Sequence, residues 1–368
     1  MRILRVAQKV YPDVVGGGPY HVHAMSRDQA AMGHDVTILT VATDGDQPHI
    51  EQREGYTVVR YPSVAAPLGN AVAPGLASFL RQANEYDVVH AHSHLYFSTN
   101  LAALARRLDS TPLAITNHGL YSQTAPEWVF DLYLRTLGKW TFDSADAVFC
   151  YTAEDRDRLR ETGVSADVAV VHNGIDTDRF APEGTTDDRI RGDPALLFVG
   201  RLVEGKRPGD ALAAFDRLRE QFPDAVLTVC GKGPLRGALE AEARERGLAD
   251  RVDFLGHLDY ETMPAVYRAA DVLVLPSRAE GLPRTVLEAM ASGTPVVVSA
   301  LDQVVPVVEG GGEVVEVGDV EGFGESMATV IESPELYSPV ETIAGHYDWA
   351  ETVEQTTAAL EEIAGGRE

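Results

Sequence analysis

The chain has 368 residues, 45% of them hydrophobic, which is too long for one ordinary α/β domain and too apolar for a disordered protein. Its 31 basic and 56 acidic residues leave a formal charge of −25, a surface that repels nucleic acid and anionic lipid and so excludes partners held by a general basic patch. Only four of the basic residues are lysine (Lys9, Lys139, Lys206 and Lys232), and this acidic, lysine-poor balance suits concentrated salt, where screening removes self-repulsion; a halophilic source is expected.

Apolar runs of strand length fall at residues 3–10, 35–40, 57–61, 87–92, 112–117, 145–151 and 167–172, with helix-period stretches at 21–32, 96–108 and 127–141. In GHDVTILT, Gly33 stands where a helix ends and a β-branched strand begins. Near-continuous apolar strands joined by helices imply a parallel sheet covered on both faces. A polar run at 176–194, rich in Asp, Thr and Pro, interrupts the pattern and reads as a boundary. The alternation resumes with strands at 195–199, 225–230, 252–255, 271–275 and 295–299 and helices at 208–221, 235–246 and 284–291. Three amphipathic segments near 320–332, 335–345 and 349–364 close the chain. The expected fold is α/β, two Rossmann-like doubly wound domains in series at 1–178 and 179–348, with a ligand crevice at the carboxyl ends of their sheets.

Cys150 and Cys230 each end an apolar run and read as reduced, core-packed thiols. No run approaches the ~18 apolar residues needed to span a bilayer. MRILRVAQKVYP is too short and interrupted for a signal peptide, so a cytoplasmic location is expected.

Gly16, Gly17 and Gly18 follow the first strand and precede a helix read as opening near Pro19. Such a loop lets backbone N–H groups approach an anion, or merely turns the chain; it is not a GxGxxG fingerprint. In GRLVEGKRP, Gly200 ends a strand and Arg201 and Lys206 bring two cations to the crevice mouth, the chemistry that meets a diphosphate. CGKGP at 230–234 is a second Gly-rich turn, with ligand admission and simple chain reversal equally weighted. In PSRAEGLPRTVLEAMASGTPVVVS, Pro276 ends a strand, Pro283 is read as the first helical residue and Gly293 as its terminator. Glu280 then lies in the loop over the crevice and Glu288 inside the helix, where two carboxylates can each accept a pair of hydroxyls. His90, His92 and His94 alternate in HAHSH, and alternate residues on an extended chain share one face, so three imidazoles could hold a metal. A metal there is the minor reading, and a strand end facing the crevice is favoured.

The Glu-x7-Glu arrangement with EAMASGTPVV behind it resembles the retaining GT-B glycosyltransferases of family 4 (glycosyl transferases group 1). The other marks follow in order: the glycine loop with GHDVTILT, NHG at 117–119, HNGID at 172–176, GRLVEGK and FLGHL at 254–258. The likeness runs from residue 1 to YDWAETVEQT near 347–356. It implies a GT-B architecture with the two domains facing across a cleft, and a last helix, 349–368, that crosses back to the first domain. It implies that Arg201 and Lys206 grip the diphosphate of a nucleotide-sugar, with Gly200 beside them. Glu288 would hold the ribose, and Glu280, with Gly281 and Leu282, the transferred sugar. His118 would lie near the anomeric carbon, the Gly16–Gly17 loop near the phosphates or the acceptor, and Gly256 with His257 at the edge of the base. The implied reaction is metal-independent retaining transfer to a hydroxyl acceptor, with no cofactor. One departure stands out: after PVVVSA the family has a Gly-Gly turn and an acidic residue, whereas this chain reads LDQVVPVV.

Two rival readings are a silent nucleotide-sugar-binding subunit and a sugar-nucleotide 2-epimerase. The stretch from Pro126 to Phe142, with Trp128, Phe130, Tyr133, Trp140 and Phe142, reads as an ordinary buried helix; the alternative is peripheral contact with a membrane.

Overall fold

The apolar runs become the strands of two separate sheets in a computed structural model that describes residues 1–120 and 127–366. Pro126, where the aromatic stretch begins, lies outside the described residues. The chain divides into two compact units, residues 1–172 with 350–368, and residues 173–349.

The first unit carries β1 (Arg2–Val6), β2 (Asp35–Val41), β3 (Ile50–Arg53), β4 (Tyr56–Tyr61), β5 (Val88–His92), β6 (Leu113–Thr116), β7 (Ala147–Cys150) and β8 (Val168–Val170). They lie in the order β3-β4-β2-β1-β5-β6-β7-β8, all parallel except the β3–β4 hairpin. Successive residues face opposite sides of the sheet, so each strand feeds two cores. Ile3, Val36, Ile38, Val88 and Phe149 meet Val22 of the helix Gly17–Ala31 and Leu360 of the helix Trp349–Gly365. Leu4, Leu39, Val89, Ile115 and Val148 meet Ala102, Leu134 and Phe142 on the other face. The last helix is also pinned by a bond from Gln29 Nε2 to Thr357 Oγ1 of 2.9 Å.

β3 was not expected. IEQR offers a single aliphatic residue, and as an edge strand it buries little, so periodicity is silent there. Its turn, Glu54–Gly55, has positive φ at both residues, the twist that closes a two-residue hairpin.

The second unit carries β9 (Ala195–Val199), β10 (Val226–Cys230), β11 (Val252–Gly256), β12 (Val272–Leu275), β13 (Val296–Ser299) and β14 (Gly312–Val315). The order is β11-β10-β9-β12-β13-β14, entirely parallel. In each sheet the order reverses beside the first strand, between β1 and β5 and between β9 and β12. Connections leave to opposite sides there and open a crevice at the carboxyl ends of that pair.

Cys150 and Cys230 are buried and reduced, and burial pushes both thiols up to about 12. No helix among the described residues is long and apolar enough to cross a membrane.

Candidate functional site

The reversal between β9 and β12 selects the loops that carry the second unit's chemistry. Gly200 follows β9, and its N–H bonds Cys230 O at 3.0 Å. The chain then runs past Arg201 into a 3-10 turn, Glu204–Lys206. That run rests on the CGKG turn: Leu202 N–H donates to Lys232 O at 2.9 Å, and Gly231 N–H donates to Gly256 O at 2.7 Å. Lys232 itself is exposed, so here the glycines let two backbones approach.

After β12, residues 276–283 form the loop that carries Glu280. Arg278 N–H donates to Gly205 O at 2.9 Å, which stitches this loop to the turn bearing Lys206. Lys206 Nζ and Glu280 Oε1 form a largely buried ion pair. An ammonium has three donors, so Lys206 can keep Glu280 and still meet a phosphate oxygen. Gly281 and Leu282 are buried beside Glu280. Gln303, inside the divergent LDQVVPVV segment, donates its side-chain amide to Glu280 O.

The helix Arg284–Ala291 has Pro283 as its cap, with extended ψ of 109°, rather than as its first helical residue. Gly293, at φ 85°, terminates it as expected. Glu288 is 5% exposed. Tyr267 Oη donates to its Oε2 at 3.0 Å, Tyr260 Oη to its Oε1 at 3.3 Å, and Arg284 Nε lies 3.5 Å from Oε1. Burial pushes the Glu288 carboxyl above its ordinary range, opposed by Arg284 and the two tyrosines. Gly256 ends β11 at φ 75°, and His257 follows it.

In the first unit, β1 and β5 form the reversal pair. Gly16, at φ 147° and ψ 164°, caps a helix that begins at Gly17, two residues before the expected Pro19. The loop comes close to His118: a Cβ on Gly18 would lie 3.8 Å from its Nδ1. His118 follows β6, and both its ring nitrogens have protein partners, Tyr151 Oη at 2.7 Å from Nδ1 and His92 Nδ1 at 3.1 Å from Nε2. Desolvation lowers the His118 imidazole to about 4, so it is neutral near pH 7. Burial also drives His90 and His92 well below the ordinary imidazole range.

The three histidines of HAHSH do not share one face. β5 ends at His92, and Ser93 takes a left-handed φ of 65°, which turns the chain out of the alternation. His94 packs instead against Phe142, Tyr133 and Phe130, with Nδ1 bonded to Asn117 Oδ1 at 3.1 Å. His90 Nε2 meets Thr116 Oγ1 at 2.7 Å, and its Nδ1 faces Arg5, a fully buried guanidinium bound to Ser26 and Gln29.

The structure thus brings Arg201, Lys206 and Gly200 onto one loop and pairs Lys206 with Glu280. It sets Glu288 on the next helix, and gathers His118 and the glycine loop in the first unit. Sequence reasoning missed Tyr151, Tyr260, Tyr267, Arg284 and Gln303. Tyr151 carried a signal: it directly follows β7, the neighbour of the strand that His118 follows. Arg284 carried another, four residues before Glu288 on one helix. The tyrosines carried none, because their partners come from other elements.

The family profile described as Glycosyl transferases group 1 matches residues 187–344, and that described as Glycosyltransferase Family 4 matches residues 15–179. Glycogen synthase of Mycobacterium tuberculosis (strain ATCC 25618 / H37Rv) is 30% identical, over 98% of this chain and 94% of that protein. D-inositol 3-phosphate glycosyltransferase of Geodermatophilus obscurus is 32% identical, over 95% of this chain and 86% of that protein. Among solved structures, sucrose-phosphate synthase from Thermosynechococcus elongatus superposes with a TM-score of 0.84 at 22% identity, covering 100% of both chains. Anabaena HepE in complex with UDP-glucose gives 0.79 at 19% identity, covering 98% of this chain and 100% of that one.

Proposed function

The chain belongs to the family 4 glycosyltransferases, glycosyl transferases group 1, and from that premise we propose that it moves a sugar from a nucleoside-diphosphate sugar to a hydroxyl acceptor with retention at the anomeric carbon. The observation that carries this reading is the Lys206–Glu280 pair, a cation and a carboxylate joined across the two loops at the strand-order reversal. A diphosphate on Arg201 and Lys206 sets its sugar beside Glu280, and a ribose reaches Glu288 on the following helix. Departure breaks the bond from the anomeric carbon to phosphate oxygen, and the electron pair stays on the diphosphate, which Arg201 and Lys206 neutralise. The acceptor oxygen bonds to the same face of the oxocarbenium-like sugar, and its proton passes to the leaving phosphate. No metal or cofactor enters the scheme.

The test is the product's anomeric configuration, read by NMR after incubation with UDP-, GDP-, ADP- and dTDP-sugars in high salt. Retention is expected, and inversion would overturn the mechanism. Epimerised donor without transfer would favour the 2-epimerase reading.

Peripheral membrane contact is a second reading, favoured by Trp128, Leu132 and Leu137, which are 71%, 59% and 44% exposed in the segment 127–142. Phe130, Leu134 and Phe142 of the same segment are buried, so most of it is ordinary helix packing. Vesicles of zwitterionic lipid should float a measurable fraction of the protein, and Trp128→Ala with Leu132→Ala should reduce it severalfold. Flotation unaffected by the pair, or absent in the parent, removes this reading.

A further inference from the structure

Arg284 is the first residue of its helix, where the free N–H groups and the macrodipole disfavour a cation. It is nevertheless 8% exposed, so this buried charge must be compensated locally. Its Nε lies 3.5 Å from Glu288 Oε1, and its two terminal nitrogens go elsewhere. One donates to Gly174 O at 2.8 Å and lies 3.4 Å from Asn173 Oδ1; the other donates to Tyr260 Oη at 3.2 Å. The guanidinium also sits 5.6 Å from the centre of the Trp349 ring.

Gly174 and Trp349 belong to two segments, distant in sequence, that run side by side. Ile175 N–H donates to Tyr347 O at 2.8 Å, Trp349 N–H donates to Ile175 O at 2.9 Å, and Thr177 Oγ1 donates to Asp348 Oδ2 at 2.8 Å. These are the stretches through which the chain enters and leaves the second unit. One side chain therefore touches the Glu288 carboxylate, the tyrosine that shares it, and both crossing segments.

We propose that Arg284 is a positioning residue for nucleotide binding, which fixes the Glu288 carboxylate by tying its helix to the paired crossing segments at Gly174 and Trp349. This deepens the reading above, because it rests on Glu288 meeting the ribose. A carboxylate accepts both ribose hydroxyls, whereas a neutral carboxylic acid gives up one acceptor to a proton. The groups facing Glu288 are Arg284 on its own helix, Tyr267 on the helix Met263–Arg268 and Tyr260 on the preceding 3-10 turn. Burial raises this carboxyl and Arg284 opposes the rise, so removing the guanidinium moves ionisation to higher pH. Ribose recognition is present above that pKa and is lost as pH falls through it. Without Arg284 the loss begins at a higher pH.

The experiment titrates the full chain in high salt with UDP, GDP and ADP and with their 2′-deoxy counterparts, from pH 5.5 to 8.5. The wild-type chain is expected to prefer the ribonucleotide, and Glu288→Gln to erase that preference. Arg284→Met should weaken ribonucleotide binding about tenfold at pH 6 and less at pH 8, with the acid limb displaced upward. Arg284→Lys, which keeps a cation but loses the fork, should weaken binding roughly fivefold with the acid limb near its wild-type place. An unchanged Glu288→Gln preference, or no nucleotide bound by the wild type, sinks the ribose reading itself. A loss of preference in Glu288→Gln, with wild-type affinity and pH profile in Arg284→Met, overturns the positioning role alone. Circular dichroism checks folding, and if Arg284→Met does not fold, Arg284→Lys decides. Affinity within about twofold of wild type then overturns the proposal, and a fivefold loss supports it.

Discussion

Replacing Lys206 with Met is expected to lower the transfer rate at saturating donor by about 10²- to 10³-fold while the far-ultraviolet circular dichroism keeps its shape. The size of the loss follows from the proposed role: the charge that builds on the departing diphosphate loses one of its two fixed cations. Arg201→Ala should act in the same direction. Lys206→Met also strands Glu280, whose side chain is only 6% exposed and which is paired with that lysine. Removing one partner of a buried pair costs about 3 kcal/mol, mostly the desolvation of the charge left behind. A Lys206→Met, Glu280→Gln double variant removes both charges and should recover much of the lost melting temperature while staying inactive. A single variant that keeps wild-type turnover would remove Lys206 from the chemistry. A double variant no more stable than the single one would refute the buried-pair account.

The second large effect concerns the methyl group. Gly231→Ala should destabilise the second unit by about 3 kcal/mol or more, seen as a fall in melting temperature together with loss of nucleotide binding. A Cβ at Gly231 would lie 1.8 Å from Gly200 O, and the residue sits at φ 152°, which side chains rarely adopt. The obstructing atom is backbone at the end of β9, so it cannot rotate away, and displacing it would move the loop that bears Arg201 and Lys206. Gly233→Ala should behave alike, with its Cβ 2.2 Å from Leu202 O. Gly237 is the control: its Cβ meets nothing within 4 Å in the helix Arg236–Glu245, so Ala there should stabilise by ~0.5–1 kcal/mol. If Gly231→Ala and Gly237→Ala melt alike, the close approach of the two strand ends is wrong.

The CGKG turn illustrates how far the sequence could be read. Its glycines were visible, but ligand admission and chain reversal weighed equally, because nothing in four residues says which backbone lies opposite. The structure sets Gly231 against Gly200, thirty-one positions earlier, and turns Lys232 to solvent. HAHSH shows the same limit. Alternation predicted three imidazoles on one face, and a single left-handed residue, Ser93, ended the strand before the third. The helix bearing Glu288 was legible in place and nearly in boundary, since proline and glycine punctuate both ends.

What the sequence determined by itself was everything carried by local periodicity and covalent neighbours. β-branched apolar runs separated by helical stretches specify buried parallel strands, and Gly200, Arg201, Glu280 and His118 fall in the loops that follow them whatever the strand order. Only the tertiary structure decided which strand ends are adjacent, and hence which side chains pair. β9 lies between β10 and β12, so Lys206 meets Glu280 across seventy-four residues, and Arg284 reaches Gly174 across one hundred and ten. Such pairs depend on how the crossovers pack over the sheet, a sum of many weak apolar contacts that no short stretch of the chain contains.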